Sequence, residues 1–298
     1  MKKVAIIGMG YVGNAYLKIF PDALTYDTTT IHNSTQKEIN DECELAIICV
    51  PTPTQEDGST DLSNILDVLD WLSTPLVLIK SAVPPGTTDM LNSKFNRYIK
   101  DAGWVYMDTD IPIQICVSPE YVGESKYHTT PWLFMSPTDP RYHDYVIIGG
   151  PEDARSRILQ YFIQRLGPEK HYFLCTAKEA ELIKYMENSF FGVKVAFCHQ
   201  FYDLCKVLGV NYNIVREGWL LDNRVGRMHT SIFDTKGFSG KCIPKDLKSI
   251  STFARRMNSP LTLIETALKY NKGILNADVK EVPSNSTSVD IVNISNPS

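Results

Sequence analysis

The glycine-rich segment from residue 8 to residue 13 limits the possible folds of this chain more than any other feature. Its three glycines follow an apolar, β-rich run and open a helical run, Tyr11–Phe20. In such a strand–turn–helix unit, Gly8 permits a tight turn. Gly10 lets a pyrophosphate approach the helix N-terminus, where N–H groups and the dipole favour anions. Gly13 allows the helix to pack closely on the sheet, so the segment predicts a dinucleotide-binding unit of the Rossmann type.

An acidic residue follows the glycines at the distance expected for recognition of a ribose. Asp27 lies 19 residues after Gly8, at the end of the second predicted strand. Its carboxylate would accept hydrogen bonds from the adenosine ribose diol and would repel a 2′-phosphate, which favours NAD over NADP. A glycine-rich turn without a ligand is the alternative, but it leaves the strand, helix and acid together unexplained. The expected cofactor-binding residues are Gly8, Gly10, Tyr11, Val12, Gly13 and Asp27.

Up to about residue 175, short apolar runs alternate with amphipathic stretches, as is typical of βαβ units and a mostly parallel sheet. The predicted strands are Lys3–Ile7, Ala23–Tyr26, Leu45–Val50, Leu76–Ile79, Ile113–Val117, Tyr145–Ile148 and Tyr172–Leu174. Helices are predicted between several of them, at Leu62–Leu72, Asp89–Lys100 and Ala154–Leu166.

The pattern then changes to helix. From Lys178 to Leu208 the chain has no proline and one glycine, which predicts a single long helix. Shorter helices are predicted at Asn213–Leu220, Lys245–Met257 and Leu261–Gly273. The sequence therefore predicts an α/β fold with a doubly wound parallel sheet, followed by an all-helical domain with a long central helix. The expected domains are an NAD-binding Rossmann domain (1–175), a helical domain (176–275) and a flexible, polar tail (276–298).

The composition argues against several classes of partner: nucleic acid, membrane and metal ions. The formal net charge is −4 and no basic stripe is present, which argues against nucleic acid. No apolar stretch approaches the ~20 residues of a membrane span. The seven cysteines are scattered, which favours thiols in a reducing compartment and hence the cytoplasm. Without a Cys-x-x-Cys or paired histidines, the sequence predicts no metal site.

Polar loops follow the predicted strands, where a parallel sheet opens into its ligand crevice. Pro51 fixes the path of one loop and Thr52 could offer a hydroxyl to the cofactor, although a Pro-Thr-Pro turn is also common without a ligand. The segment Ser118–Ser125 places Glu120 and Glu124 four residues apart, on one face if the segment is helical. The alternative is a solvated helix start with acids at its positive end.

The predicted long helix carries Lys184 and Asn188 four residues apart, so both project on one side. Such a pair could hold an anionic oxygen, whereas a lysine at the edge of a core is the alternative.

The segment Gly237–Asp246 carries the strongest chemical signal. Pro244 suits the first turn of a helix, which places Cys242 at or just before the helix N-terminus. There the dipole and the neighbouring Lys241 and Lys245 should lower the pKa of the thiol, and a thiolate is the species that covalent catalysis needs. Asp246, one helical turn further on, could act on a proton or a water molecule.

Together these motifs resemble the UDP-glucose 6-dehydrogenase and GDP-mannose 6-dehydrogenase family. The matching segments, in the family's order, are 8–13, 50–53, 81–88, 118–125, 181–188, 222–228 and 237–246. The last is close to the family's Gly-Phe-Gly-Gly-x-Cys-x-Pro-Lys-Asp. The resemblance spans nearly all of 1–275. It implies a Rossmann-type domain followed by a helical dimerisation domain, and hence a homodimer through the long helix.

The resemblance also implies a reaction in which a nucleotide sugar is oxidised twice at C6, consuming two NAD. The first hydride transfer gives an aldehyde, which the Cys242 thiol attacks to form a thiohemiacetal. A second transfer gives a thioester, and water releases the uronate. The resemblance further implies that Lys184 and Asn188 steady the oxyanion, and that Asp246 and Glu120 serve proton movement and water positioning.

Further roles follow from the resemblance. Glu124 would line the cofactor and substrate site, while Thr52 and Lys245 would lie near the nicotinamide. Arg224 would reach the sugar nucleotide across the dimer. The expected substrate-binding residues are Glu120, Lys184, Asn188, Arg224, Gly237 and Gly240.

Three departures from the family's pattern open other possibilities. Ala82 and Gly123 stand where the family has a threonine and an arginine, and a further α/β domain of family members is not among the 298 residues. A shortened enzyme, a different or smaller substrate, or a partner that supplies the missing part would each fit. Two other hypotheses stay open: a hydroxyacid-type dehydrogenase with a single hydride transfer, and a non-catalytic NAD-binding partner.

Overall fold

The computed structural model describes residues 3–101, 113–122, 139–233, 237–240 and 242–276. The strands are β1 (Lys3–Ile7), β2 (Leu24–Tyr26), β3 (Cys43–Ile48), β4 (Leu76–Ile79), β5 (Gln114–Val117), β6 (Tyr145–Gly149) and β7 (His171–Cys175). The helices up to β7 are α1 (Tyr11–Leu17), α2 (Gln36–Glu42), α3 (Ser63–Trp71), α4 (Thr87–Asp101) and α5 (Glu152–Leu166). After β7 follow α6 (Ala177–Val207), α7 (Tyr212–Trp219), α8 (Ile243–Arg256) and α9 (Thr262–Asn276). The expected tail, from residue 277 onward, lies outside the described residues.

The strands form one sheet in the order β2-β1-β3-β4-β5-β6-β7. The alternation of apolar runs and helices predicted a mostly parallel sheet, but not this order. Strands β1 to β5 are parallel, β6 is antiparallel to β5, and β7 is parallel to β6. The chain crosses from β2 over β1 to β3, so the strand order reverses between β1 and β3. In a sheet of this kind the ligand crevice lies at that reversal, outside the carboxyl ends of the strands.

Helices cover both faces of the sheet, which explains why its central strands are apolar along their whole length. All residues of β4 are fully buried. One face packs against α2, α3, α4 and the start of α6, and the other against α1 and α5. This doubly wound arrangement confirms the predicted fold class and positions the loops after β1, β3, β4 and β5 at one edge.

Helix α6 has 31 residues and starts at a capping box, in which Thr176 and Glu179 satisfy each other's backbone N–H groups. Its N-terminal part packs on the sheet, and it also contacts α8 and α9. The predicted long helix is therefore confirmed. Among the residues that the structure describes, no helix is both long enough and apolar enough to cross a bilayer.

The short helix α2 was not predicted. Its seven residues bury one side chain, Ile39, so they carry no apolar periodicity. The available signal was local: Thr35 and Glu38 form a capping box at its start.

Candidate active site

The glycine turn after β1 leaves room for a ligand at the start of α1. A Cβ atom at Gly8, whose φ is +92°, would lie 2.8 Å from the carbonyl oxygen of Cys49, and one at Gly13 would lie 2.0 Å from the oxygen of Gly8. Both positions thus exclude a side chain. In contrast, a Cβ at Gly10, the N-cap of α1, would meet no atom within 4 Å. The open space in front of α1 suits the pyrophosphate of a dinucleotide.

Asp27 lies beside this turn at the end of β2. Its Oδ2 accepts a hydrogen bond from the N–H of Met9 (2.6 Å), and its Oδ1 accepts from the N–H groups of Thr29 (2.7 Å) and Thr30 (3.0 Å). Partial burial raises the pKa of the carboxyl, but these hydrogen bonds outweigh it and lower the pKa of Asp27 to about 2. Asp27 is therefore an anion at neutral pH, as an acceptor for ribose hydroxyls must be.

The loops after β3 and β4 are joined by two hydrogen bonds. The hydroxyl of Thr52, which is buried, donates to the carbonyl oxygen of Ala82 (2.9 Å), and Ser81 Oγ donates to the carbonyl oxygen of Val50 (2.5 Å). Pro51 is exposed in the same loop, and its carbonyl oxygen accepts from Asn64. The hydrogen of Thr52 is thus committed to the loop, and only an oxygen lone pair remains for a cofactor.

Glu120 follows β5 at the crevice edge and is held by its own turn. Its Oε1 accepts from the N–H groups of Tyr121 (2.8 Å) and Val122 (2.6 Å). Its Oε2 lies 3.6 Å from Nζ of Lys80, a buried lysine that directly follows β4. Sequence reasoning assigned no role to Lys80, although an ammonium at the end of an apolar run was a signal that acceptors lie nearby. Glu124 lies outside the described residues.

The N-terminal part of α6 faces this edge. Nζ of Lys184 lies 4.5 Å from the ring centroid of Tyr121 and 3.1 Å from Oε2 of Glu187. One turn earlier, the buried Glu181 accepts hydrogen bonds from the N–H groups of Gly86 (2.5 Å) and Thr88 (2.8 Å) at the start of α4. The expected oxyanion residue Lys184 therefore lies next to the Glu120 turn.

Asn188 and Asp246 are brought together although 58 residues separate them. Both are buried, and Nδ2 of Asn188 donates to Oδ2 of Asp246 over 2.6 Å. The other carboxylate oxygen, Oδ1, accepts from Nζ of Lys245 (2.6 Å). A buried carboxylate needs such partners, and both of them, Asn188 and Lys245, are predicted site residues.

Cys242 is the N-cap residue of α8, as the sequence predicts, and it is exposed. Its carbonyl oxygen accepts the N–H of Asp246 (2.9 Å), which is the first turn of the helix. The helix dipole at this end favours a thiolate over a thiol. Lys241 lies outside the described residues.

Two residues that sequence reasoning missed hold the loop before Cys242. His199 of α6 accepts the N–H of Gly237 at Nε2 (2.8 Å), and Asn271 of α9 makes paired hydrogen bonds to the backbone of Phe238 (2.7 and 2.8 Å). Gly237 has a φ of +72°, and a Cβ there would lie 2.3 Å from Oδ1 of Asn271. Gly240 also has a positive φ, +87°, but faces open space.

Arg224 is set apart from these contacts. Its side chain is 90% exposed and pairs with Asp222 in the same loop (2.6 Å). That loop is anchored to α6, because Nζ of Lys194 donates to the carbonyl oxygens of Val225 (3.0 Å) and Gly226 (2.7 Å). Arg224 is thus presented to solvent from a fixed loop.

Comparison with known protein families matches two parts of the chain. The model of the NAD-binding domain of the UDP-glucose/GDP-mannose dehydrogenase family matches residues 18–165. The model of the central domain of the same family matches residues 178–273. The two matches follow one another and cover most of the described residues.

Curated relatives carry the same family name. UDP-glucose 6-dehydrogenase of Rickettsia felis is 28% identical over 263 residues, which is 86% of this chain and 53% of the relative. UDP-glucose 6-dehydrogenase of Pseudomonas aeruginosa is 31% identical over 215 residues, 70% of this chain and 44% of the relative. The chain thus spans about half the length of the curated relatives it matches.

Solved structures share the fold. A UDP-glucose dehydrogenase from Pyrobaculum islandicum superposes with a TM-score of 0.75 at 23% identity, over 92% of this chain and 68% of that one. GDP-mannose dehydrogenase from Pseudomonas aeruginosa gives a TM-score of 0.61 at 19% identity, over 91% and 69% of the two chains. At these identities the likeness concerns the fold alone.

Proposed function

Because the chain belongs to the UDP-glucose/GDP-mannose dehydrogenase family and carries its NAD-binding domain, we propose that it is a nucleotide-sugar 6-dehydrogenase. It oxidises the C6 alcohol of the sugar twice and yields a uronate. UDP-glucose is the first substrate to test, since the curated relatives are named for it. NAD, when bound, accepts a hydride in each oxidation, and the open space at Gly10 and the ionised Asp27 fit its pyrophosphate and ribose.

One observation carries the proposal: the hydrogen bond between Asn188 and Asp246. It ties the helix that carries Lys184 to the helix that starts at Cys242. A thiol at a helix N-terminus, a buried carboxylate one turn later and an amide from a second helix form the set that a thioester pathway needs. A hydride transfer alone would not need the thiol.

The chemistry follows from these positions. In the first oxidation the C6 carbon would give up a hydride, which NAD would accept when bound. The C6 hydroxyl would lose its proton to a water molecule or carboxylate, which leaves an aldehyde. The Cys242 thiolate adds to the aldehyde carbon, and Lys184 and Asn188 stabilise the resulting oxyanion of the thiohemiacetal. Loss of a second hydride gives the thioester. Water then attacks the acyl carbon, and the C–S bond breaks to release the uronate and the thiol.

Two carboxylates serve proton transfer in this scheme. Asp246 accepts the proton of the attacking water, and Lys245 keeps the carboxylate in place through its ion pair (2.6 Å). Glu120 acts on the sugar side, where the contact of Lys184 with the Tyr121 ring joins helix α6 to the Glu120 turn. Thr52 and Pro51 belong to the cofactor side of the same crevice, and Glu124, which lies outside the described residues, keeps its expected role in cofactor binding.

The sugar nucleotide is bound by the loops around Cys242 and by a second copy of the chain. Gly240, where a Cβ would meet no atom within 4 Å, lets the backbone approach the sugar, and Gly237 lets the same loop pack against Asn271. The exposed Arg224 reaches the nucleotide of the neighbouring protomer. The two larger residue ranges keep their expected roles: 1–175 binds NAD and 176–275 supplies the catalytic helices.

The homodimer forms through the outer face of α6. Large apolar side chains at helical spacing are exposed there, which is unusual for a surface that meets only water. They are Leu182, Met186, Phe190, Phe197, Phe201 and Leu204.

The proposal is tested by counting the NADH formed per sugar consumed, with limiting UDP-glucose, UDP-N-acetyl sugars and GDP-mannose in separate assays. Two NADH per sugar support the twofold oxidation. One NADH per sugar would favour a single hydride transfer, and none with any sugar would favour a protein that only binds NAD. Cys242→Ser should release the aldehyde after one NADH while the NAD affinity stays the same, and unchanged twofold turnover in this variant would exclude the thioester.

A further inference from the structure

Lys80 is the feature that the proposed reaction leaves without a role. Its side chain is 1% exposed, and it follows directly on the fully buried strand β4. Removing an ammonium from water is unfavourable unless anions or carbonyl oxygens replace the lost hydration. The buried position of Lys80 is therefore favourable only if its Nζ contacts such groups.

Three oxygen atoms of the described residues lie close to the Lys80 ammonium. All three belong to the turn that follows β5. Nζ of Lys80 donates to Oγ of Ser118 (2.9 Å) and to the carbonyl oxygen of Pro119 (3.1 Å), and it lies 3.6 Å from Oε2 of Glu120. On a fourth side, the ring centroid of Tyr16 lies 4.5 Å away. The lysine thus contacts both the backbone and the carboxylate of the Glu120 turn.

The Glu120 carboxylate depends on this contact from its own side. Its Oε1 is fixed by two backbone N–H groups, whereas its buried Oε2 accepts no hydrogen bond from the described residues. Among the described residues, Lys80 is the cation that forms a salt bridge with that oxygen. Lys80 therefore supplies the opposite charge beside an oxygen that its own turn leaves without a hydrogen bond.

Other ionisable groups surround the pair from each neighbouring element. They are Tyr16 on α1, Cys49 after β3, Tyr121 after β5, Tyr145 on β6, and Lys184 and Glu187 on α6. Burial raises the pKa of Tyr16, Cys49 and Tyr121, and it raises the pKa of Tyr145 to about 12. These four groups are neutral at physiological pH. Lys184 and Glu187 pair with each other. Burial lowers the pKa of the Lys80 ammonium, and the negative charge of Glu120 opposes that shift.

We propose that Lys80 is a positioning residue for Glu120: it orients the carboxylate toward the sugar and holds it ionised, without touching substrate or cofactor. This inference rests on the proposed function, because it assigns the lysine to the carboxylate that serves proton transfer. The alternative is a purely structural lysine that fastens the turn after β5 to β4. The two differ in one measurable property, the proton affinity of Glu120.

The test is a titration of Glu120 in the full chain, labelled with carbon-13 at Cδ of glutamate and followed by NMR. The Glu120 signal is identified by its loss in Glu120→Gln. In Lys80→Met the titration midpoint should rise by about one pH unit, because an opposite charge within about 4–6 Å shifts a carboxyl by that order. Lys80→Arg, which keeps the charge, should return the midpoint most of the way to the wild-type value.

A second neutral variant separates charge from hydrogen bonding. The amide of Lys80→Gln can still donate to the turn, so this variant should fold like the wild type and show the same raised midpoint. The control is Lys178→Met, which removes an exposed lysine from its ion pair with Asp89 (3.2 Å) and should leave the midpoint unmoved. An unmoved midpoint in a folded neutral variant would overturn the proposal, as would failure of both neutral variants to fold.

A kinetic readout checks the same point during turnover. The acidic limb of the kcat–pH profile should move to higher pH by about one unit in Lys80→Gln, and an unmoved limb would count against the proposal. If the wild type oxidises no nucleotide sugar, the proposed function fails, but the NMR midpoint still decides whether Lys80 controls Glu120. The two failures are therefore distinguishable.

Discussion

Asn188 and Asp246 share a hydrogen bond of 2.6 Å, and this bond joins the long helix α6 to helix α8 one turn after Cys242. Both residues are buried, so neither can exchange its partner for water without a conformational change. The contact therefore serves the stability of the chain and the geometry of the site together.

Replacement of Asn188 by alanine should lower the free energy of unfolding by about 1–3 kcal/mol, because the buried carboxylate of Asp246 keeps one hydrogen-bonding partner fewer. NADH production should fall in the same variant. Urea denaturation measures the first effect and NADH absorbance the second. Gln160→Ala, on the exposed face of α5, is the matched control and should change stability by less than about 0.5 kcal/mol. An unchanged unfolding midpoint in Asn188→Ala would contradict the expectation.

Cys242 should be the first cysteine to react with iodoacetamide. Five of the seven cysteines are buried, and Cys49 is partly buried, whereas Cys242 is exposed at a helix N-terminus. Burial also raises the pKa of the Cys49 thiol, which slows its alkylation. Peptide mass spectrometry after brief labelling identifies the site, and Cys242→Ser should remove the fast phase. Labelling of another cysteine ahead of Cys242 would argue against an activated thiol.

Asp27 should contribute to stability in a pH-dependent manner. The pKa of the carboxyl is about 2 in the folded chain, compared with about 3.9 for an unfolded aspartate. The contribution is therefore complete above about pH 5 and is lost as the pH falls toward 2. Because Asp27 is only partly buried, solvent screening reduces it to at most about 2 kcal/mol.

The measurement compares the urea unfolding of Asp27→Asn and the wild type between pH 7 and pH 3. The difference in unfolding free energy should be largest at pH 7 and should shrink in acid. Asp67→Asn, at an exposed position of α3, is the control. A difference that grows as the pH falls would show that the hydrogen bonds to Asp27 do not favour its anion.

Gly237→Ala should destabilise the loop before Cys242. The loop holds residue 237 at a φ of +72°, which alanine rarely adopts, and the added Cβ would lie 2.3 Å from Oδ1 of Asn271. We expect a loss of about 2 kcal/mol or more in unfolding free energy, measured by thermal or urea denaturation. The control is Gly218→Ala in α7, where no atom lies within 4 Å of the new Cβ; this change should stabilise the helix by about 0.5–1 kcal/mol. Equal effects of the two substitutions would contradict the geometry of the loop.

The proposed homodimer is tested at Met186 and Phe190, which are 75% and 57% exposed on the outer face of α6. The double substitution Met186→Lys, Phe190→Lys places two charges in the apolar patch and should convert a dimer to a monomer. Light scattering coupled to size exclusion measures the mass. Gln160→Lys on α5 should leave the mass unchanged, and a wild-type monomer would contradict the proposed assembly.

The fold and part of the site could be predicted from local sequence patterns. The continuous apolar run of β4 and the position of Pro244 in the first turn of α8 were sufficient to predict a buried strand and a helix start, because both depend on neighbours in sequence. The spacing of Asp246 from Cys242 could be predicted for the same reason. Helix α2 was missed because its stability comes from a capping box rather than from an apolar face.

Contacts between distant residues could not be predicted in this way. Lys80 meets Glu120 only when β4 and β5 pair, and Asn271 meets Phe238 only when α9 packs beside the Cys242 loop. A lysine, an asparagine or a histidine has many possible partners along 298 residues, and the tertiary fold selects one of them. The polar residues that orient a site are therefore harder to predict than those that do the chemistry.

Glu181 gives the long helix a second attachment besides its packing. By accepting the N–H groups at the start of α4, it fastens α6 to the loop that follows β4, one turn before Lys184 and two turns before Asn188. A rotation of α6 about its own axis would therefore have to break the hydrogen bonds of Glu181 as well as the hydrogen bond between Asn188 and Asp246. Helix α6 is thus fixed at two points about two turns apart, to the loop after β4 through Glu181 and to α8 through Asn188, and the two domains share this one helix.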